Sequence, residues 1–195
     1  EEAIKLLEGR VSTDPQNDLL YAALADIHKA QGDTDKAIEQ YEKVLEYKPE
    51  SVPALNALAS AYDGKKDYDA ELEAYRRLRK IDPKDTSYAI AIPRIYEKQE
   101  KPVEAIAEYR ILIKESPDEM AYRSGLAKLL EGRQDYEGAL EQYLYMTKSE
   151  SPGTKAYAYD MTATMQEKLG RTDEALASYR AAVETRPAYT KSFDS

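Results

Sequence analysis

Apolar residues recur along this chain at helical spacing, in short segments separated by polar turns. In the first clear pair of segments, residues at helical spacing share one face of each predicted helix: Tyr21, Leu24, Ala25 and His28 on the first, then Ala37, Tyr41, Val44 and Leu45 on the second. Gly32 predicts the end of the first helix, and Asp33 or Thr34 predicts the cap of the second. The pattern therefore predicts two amphipathic helices joined by a tight turn.

The same pair of segments returns every 34 residues. Three columns carry the period: Pro15, Pro49, Pro83 and Pro117; Ala3, Ala37, Ala105 and Ala139; Tyr41, Tyr75, Tyr109 and Tyr143. The Ala and Tyr columns resume two residues late, at Ala175 and Tyr179, and the Pro-Gly turn from Ser149 to Thr154 predicts the insertion. We expect a half-repeat over 1–16, repeats over about 18–51, 52–85, 86–119, 120–155 and 156–189, and a short C-terminal tail.

The residues at fixed places in each repeat resemble the tetratricopeptide repeat pattern. The first repeat carries it at Tyr21, Leu24, Ala25, Gly32, Ala37, Tyr41 and Pro49, and the last at Tyr159, Ala163, Gly170, Ala175, Tyr179, Ala182 and Pro187. The resemblance implies an all-α fold, a right-handed superhelical solenoid of antiparallel helix pairs, with the first helix of each pair lining the concave wall. Because no pair buries its apolar faces alone, we expect one domain over 1–195.

Two residues depart from this pattern. Glu71 occupies a column of small Ala residues, which puts the close packing of that helix pair in doubt. Pro93 replaces the Ala of another small column and lies inside a predicted helix, where proline removes a backbone hydrogen bond. We expect the helix from Thr86 to about Gln99 to bend, with the proline either tolerated or re-aiming Arg94, which follows it.

Composition narrows the classes of partner. With a net charge of −9, the chain lacks the clustered cations that nucleic acid requires, so we expect no nucleic-acid partner. No stretch approaches the ~20 apolar residues of a membrane span, so no direct membrane insertion is expected. The absence of Cys excludes a disulfide framework. The composition favours a bacterial protein, cytoplasmic or periplasmic, and an opening in mid-helix is expected of part of a longer protein.

Catalytic groups are scarce in this sequence. The single His, His28, falls in a core column, and the acidic residues fall on solvated faces and at helix starts, where the helix dipole favours them. No metal-ligand spacing or phosphate-binding loop appears, since the stretch from Gly64 to Asp69 follows a helix and reads as a turn. Most of the 17 Tyr residues belong to repeat columns and are expected to pack between helices. We expect no enzyme activity, metal or cofactor in this segment.

The predicted concave wall is the surface best suited to binding. Arg94 and Lys128 stand one repeat apart on it, so stacking is expected to bring two positive charges together in an acidic chain. Asn56, one repeat before Arg94, is placed to bond an extended backbone. We expect a protein or peptide partner, with an acidic or carboxylate group held by the two cations. Three further residues fall in groove-facing columns: Asp26, Tyr157 and Asp160.

Ion pairing within the helices is the competing explanation of these two cations. Glu97 and Glu131 follow Arg94 and Lys128 by three residues, a spacing that allows pairing on one helix face. The chaperone-tail clamp known in the family needs a Lys and two Asn in adjacent repeats. Neither register supplies that set here, since the matching positions hold Ala22, Asp26 and Ala57, or Asn56, Ser60 and Ala91.

The leading function is a non-catalytic scaffold for protein–protein interaction. One alternative is self-assembly into homo-oligomers through exposed repeat ends, and another is a regulatory or substrate-delivery arm of an enzyme whose catalytic domain lies outside the segment. Tyr189 and Phe193 of the tail are expected to dock as a cap on the last helix pair.

Overall fold

The computed structural model describes residues 1–185, and eleven α-helices and no strand occur within that range. Their bounds are α1 Glu2–Thr13, α2 Asp18–Ala30, α3 Thr34–Tyr47, α4 Val52–Lys65, α5 Tyr68–Ile81, α6 Thr86–Lys98, α7 Pro102–Glu115, α8 Met120–Gly132, α9 Tyr136–Met146, α10 Pro152–Lys168 and α11 Thr172–Thr185. The all-α fold and the two helices of each repeat are as predicted. The proposed cap of Tyr189 and Phe193 falls outside the described residues.

The chain divides into two compact units, one from Glu1 to Lys101 and the other from Pro102 onward. In unit 1, each helix from α1 to α6 packs against the next one in sequence. In unit 2, α7 to α11 pack in the same successive manner. The division falls inside the third predicted repeat, between its first and second helices. The expectation of one domain over 1–195 stays a prediction.

The turn between the two helices of each repeat adopts a left-handed backbone at one fixed position. This position has a positive φ in all five repeats, at Gly32, Lys66, Glu100, Gln134 and Gly170. Glycine reaches this conformation without a steric penalty, whereas a residue with a β-carbon is disfavoured there. Side-chain caps then start the next helix: Asp33 Oδ1 accepts a hydrogen bond from the Lys36 amide at 3.4 Å. The repeat is thus specified locally at the turn as well as by its apolar faces.

The core of each unit is built from the repeat columns. Four members of the central column of the first helices are large, apolar and at most 4% exposed: Leu24, Leu58, Ile92 and Leu126. The fifth member, Thr162, is fully buried. Pro93 is also buried, and α6 runs without interruption through it from Thr86 to Lys98. The predicted bend of this helix stays a prediction.

Glu71 does not prevent α4 and α5 from packing against each other. Its side chain is buried, and Oε1 accepts a hydrogen bond from Lys98 Nζ at 3.1 Å. Lys98 also donates to Asp63 Oδ1 at 2.6 Å. Burial raises the pKa of the Glu71 carboxyl, while the contact with Lys98 acts in the opposite direction. A lysine from the following helix therefore accommodates the carboxylate in this small-residue column.

The tyrosines of the second helices fill space between the helices, as predicted. Tyr109 and Tyr143 are at most 1% exposed. Tyr109 lies so close to Gly125 of α8 that a β-carbon there would be 2.5 Å from ring atom Cε1. Such a distance is below any ordinary carbon–carbon contact. The ring of Tyr109 therefore requires glycine at position 125.

Candidate functional site

A groove of about 570 Å³ lies on unit 1, between the first helices of the first two repeats. One wall belongs to α2 and the other to α4; the main contributors are Leu19, Ala22, Asp26 and Lys29, then Pro53, Asn56, Ala57 and Ser60. Two of these, Asp26 and Asn56, are among the groove-facing residues that the sequence predicts. The structure therefore brings Asp26 and Asn56 together in one groove.

Asp26 is an oriented carboxylate in this groove. Its side chain is exposed, and Oδ1 accepts a hydrogen bond from the Tyr41 hydroxyl at 2.6 Å. Burial, followed by the nearby Asp26 carboxylate, raises the pKa of Tyr41, so the phenol keeps the proton that it donates. The sequence assigned Tyr41 to the core alone. The sequence feature that could have indicated this hydrogen bond is that Asp26 and Tyr41 lie on the two helices of one hairpin.

Asn56 lies on the exposed face of α4 and links it to α6. Its Nδ2 donates to the Tyr88 hydroxyl at 3.4 Å, a long hydrogen bond. At the other end of the groove, Lys48 Nζ lies 2.8 Å from Asp18 Oδ2. The amide of Asn56 therefore retains hydrogen-bonding capacity, whereas the charge of Lys48 is already paired.

Arg94 and Lys128 are exposed on α6 and α8. Within residues 1–185, neither side chain forms a hydrogen bond or an ion pair, so the alternative pairing with Glu97 and Glu131 is not formed. Glu131 instead accepts from Lys168 Nζ at 2.8 Å. Arg94 belongs to unit 1 and Lys128 to unit 2. Their predicted proximity stays a prediction.

Unit 2 carries a smaller pocket of about 390 Å³. It is lined by residues of α8, α9 and α10: Met120, Ala121, Ser124, Met146, Gly153, Thr154 and Tyr157. Tyr157 is 36% exposed and meets the buried ring of Tyr143 edge-on, with the ring centroids 6.2 Å apart. Asp160 does not line this pocket; its backbone carbonyl accepts from Thr164 Oγ1 at 3.0 Å. Of the two predicted site residues on α10, Tyr157 lines this pocket and Asp160 does not.

The single histidine, possible metal ligands and possible membrane-spanning helices were the other features to locate in the fold. His28 is 7% exposed within α2 and belongs to the core, as the sequence predicts. Across the described part of the chain, no cluster of three or more His, Cys, Asp or Glu side chains is arranged to hold a metal ion. None of the helices in residues 1–185 combines the length and the hydropathy required to cross a bilayer.

Similarity to solved structures extends over most of the chain. MamA superimposes with a TM-score of 0.62 at 20% identity, over 86% of this chain and 91% of MamA. YrrB, a TPR protein with an unusual peptide-binding site, gives 0.58 at 15% identity, over 94% and 93% of the two chains. A chain of Naa15/Naa10 bound to HypK-THB gives 0.70 at 20% identity, over 96% of this chain and 29% of that one. At these identities the likeness shows the fold alone.

Sequence comparison gives the family directly. A search of curated proteins finds no match. A family profile described as tetratricopeptide repeat matches residues 22–86 and 94–153, and a second profile of the same description matches residues 156–189. The matched stretches include most of the repeat columns and of the helix pairs described above. The chain belongs to the tetratricopeptide repeat family.

Proposed function

We propose that this chain is a non-catalytic scaffold that binds an extended segment of a partner protein along its first helices. The observation that carries the proposal is the groove of unit 1, whose volume of about 570 Å³ lies in the range of ligand sites. Its lining offers both kinds of contact that a peptide needs. Leu19, which is 67% exposed, supplies apolar area, and Asn56 supplies an amide for a peptide backbone.

Arg94 of unit 1 and Lys128 of unit 2 are each proposed to favour an acidic group in the partner segment. Arg94 presents a planar guanidinium suited to bidentate binding of a carboxylate, and Lys128 presents a compact ammonium. Both are exposed and free of intramolecular partners among the described residues. Tyr157 is proposed to offer its aromatic ring to the partner at the pocket of unit 2. Asp160, three residues later on α10, is the other proposed partner-binding residue of that helix.

Peptide selection tests the groove. A phage-displayed library of short random peptides is selected on the purified chain, and recovered peptides are titrated by fluorescence anisotropy. Ser60→Trp fills the groove from an exposed position, whereas Ala30→Trp places the same ring at the exposed end of α2, outside the groove. We expect Ser60→Trp to weaken binding at least about tenfold and Ala30→Trp to leave it unchanged. Equal affinity for both variants contradicts the groove.

A charge-reversal pair tests the acidic group. Peptides that carry Asp or Glu are titrated against Arg94→Glu, Lys128→Glu and the double variant. We expect each single change to weaken binding of acidic peptides and the double change to weaken it most, with uncharged peptides unaffected. Undiminished binding by the double variant removes these two residues from the site and leaves the groove of unit 1 standing.

Self-association is a second candidate, supported by the outer face of α11. Leu176 and Val183, seven residues apart on α11, are 51% and 67% exposed. Leu140, which precedes Leu176 by one repeat, is 4% exposed because α10 packs over α9. Sedimentation equilibrium of the wild type and of Leu176→Glu tests it: a mass that falls to the monomer value in the variant supports self-association, and a monomeric wild type excludes it.

A further inference from the structure

The most informative unassigned group in the molecule is the carboxylate of Asp26. Tyr41 is 5% exposed, so packing fixes the position of its hydroxyl, which donates to Asp26 Oδ1 at 2.6 Å. The second oxygen, Oδ2, has no hydrogen-bond partner among residues 1–185. A carboxylate that is held in place by one oxygen and open at the other is arranged to accept a charge-assisted hydrogen bond.

The charge of Asp26 is not neutralised by its surroundings. Of the two cations that line the groove, Lys48 is paired with Asp18 at 2.8 Å. Lys29 follows Asp26 by three residues on the same helix, yet no ion pair joins them. Lys29 is exposed on a flexible stem, and its ammonium is strongly hydrated. Asp26 is therefore the fixed charge of the groove.

The other residues that line the groove surround the Asp26 carboxylate with uncharged polar and apolar groups. Asn56 and Ser60 are uncharged hydrogen-bonding groups, and Leu19 and Pro53 are exposed apolar surfaces beside them. The net charge of −9 also attracts cationic segments over a longer range than any contact. Both the local and the overall electrostatics favour a positively charged side chain at this place.

We propose that the groove of unit 1 selects an extended peptide segment with a Lys or Arg side chain, whose cation binds Asp26 while apolar neighbours pack on Leu19 and Pro53. This rests on the proposed function, because it names the chemistry of the segment that the groove takes. Arg suits the site better than Lys, since its planar guanidinium presents several donors to a carboxylate, whereas Lys presents a point charge. Tyr41 acts as a positioning residue for the carboxylate.

Defined peptide pools test this selectivity. Short acetylated and amidated peptides with a random Ala, Ser and Leu background carry Arg, norleucine or Glu at one fixed central position, and their affinities are measured by fluorescence anisotropy. We expect the Arg pool to bind the wild type at least about tenfold more tightly than the Glu pool. In Asp26→Asn, which keeps an oxygen acceptor for Tyr41, we expect the ratio to fall to about threefold or less.

Two further variants separate the roles of charge and position. Asp173→Asn removes the same charge from an exposed position on α11, and we expect its Arg-to-Glu ratio to match that of the wild type. Tyr41→Phe keeps the charge but removes the hydroxyl that orients it, so its ratio should fall between those of the wild type and Asp26→Asn. Raising the salt concentration is not expected to restore the Arg-to-Glu ratio in these variants, because salt weakens the contact between Asp26 and the cation.

The outcomes distinguish this inference from the proposed function. Binding of all pools with equal affinity, still blocked by Ser60→Trp, overturns the charge selectivity and retains the groove. Equal loss in Asp26→Asn and Asp173→Asn also overturns it, because the effect is then one of net charge. The absence of binding by any pool overturns both the inference and the groove as a peptide site.

Discussion

Lys98 of α6 reaches across to α5 and places its ammonium 3.1 Å from the buried Oε1 of Glu71. The same ammonium donates to Asp63 of α4 at 2.6 Å, so one lysine joins three successive helices of unit 1. The other carboxylate oxygen of Glu71 is buried and has no hydrogen-bond partner among the described residues. The carboxylate is therefore only half satisfied, which makes its ionisation costly.

This arrangement predicts a pH-dependent stability difference between the wild type and Glu71→Gln. Because burial raises the pKa of Glu71, the folded chain keeps this proton at a pH where the unfolded chain has lost it. Rising pH therefore favours unfolding from about pH 4.3, the unfolded value, up to the folded pKa. We expect the free energy of unfolding of Glu71→Gln, relative to the wild type, to increase over that window, as measured by urea titration at several pH values.

Glu73→Gln is the control, since Glu73 is exposed on the same helix. The increase across the window should be larger for Glu71→Gln than for this variant, because Glu71 is buried. Lys98 keeps Asp63 as a partner in Glu71→Gln, so no unpaired cation is created. A constant or decreasing difference across the window contradicts the argument.

A second prediction concerns Thr162, which stands where the other repeats carry Leu or Ile. Its hydroxyl is buried in α10 and has no hydrogen-bond partner among residues 1–185. Thr162→Val removes the unsatisfied hydroxyl at nearly the same shape, and we expect stabilisation of about 1 kcal/mol in chemical denaturation. Thr164→Val is the matched control. It loses a hydrogen bond to the Asp160 carbonyl and is expected to be neutral or destabilising.

The third prediction uses the left-handed turn position. Gln134 has φ 64° there, whereas Gly32 and Gly170 occupy the same position in other repeats. We expect Gln134→Gly to stabilise the fold by about 0.5 kcal/mol, because relief of the backbone strain exceeds the added freedom of the unfolded chain. Gly32→Ala should act in the opposite direction. Thermal unfolding of both variants checks the signs, and a loss of stability in Gln134→Gly contradicts the strain argument.

A fourth prediction concerns the contact between Tyr109 and Gly125. Gly125→Ala improves helix propensity by about 1 kcal/mol but forces a β-carbon against a fully buried ring, a clash that costs about 1–3 kcal/mol. We expect net destabilisation. In Gly132→Ala, at the end of the same helix, the new β-carbon meets no atom within 4 Å, so that variant should be neutral or more stable. Urea denaturation measures the stability of the two variants. Stabilisation of both would contradict the predicted clash.

The sequence predicted the helix pairs and the core columns because these follow from a period of 34 residues and from helical spacing. Of the predicted site residues, Asp26 and Asn56 line the groove of unit 1. It did not predict that Lys98 would accommodate Glu71, since that contact depends on a side chain reaching across from a neighbouring helix. Nor did it predict that Tyr41 would orient Asp26. The position of a tyrosine in the repeat assigns its ring to the core. The partner of its hydroxyl depends on the residue that faces it on the first helix, and that residue is Asp only in the first repeat.

The close approach of Tyr109 to Gly125 has an evolutionary consequence. A single substitution at either position is unfavourable: a larger residue at 125 meets the ring, and a smaller residue at 109 leaves a cavity beside the glycine. The two positions are therefore expected to change together. In chains related to this one, Ala or a larger residue at the place of Gly125 should coincide with loss of the aromatic ring at the place of Tyr109.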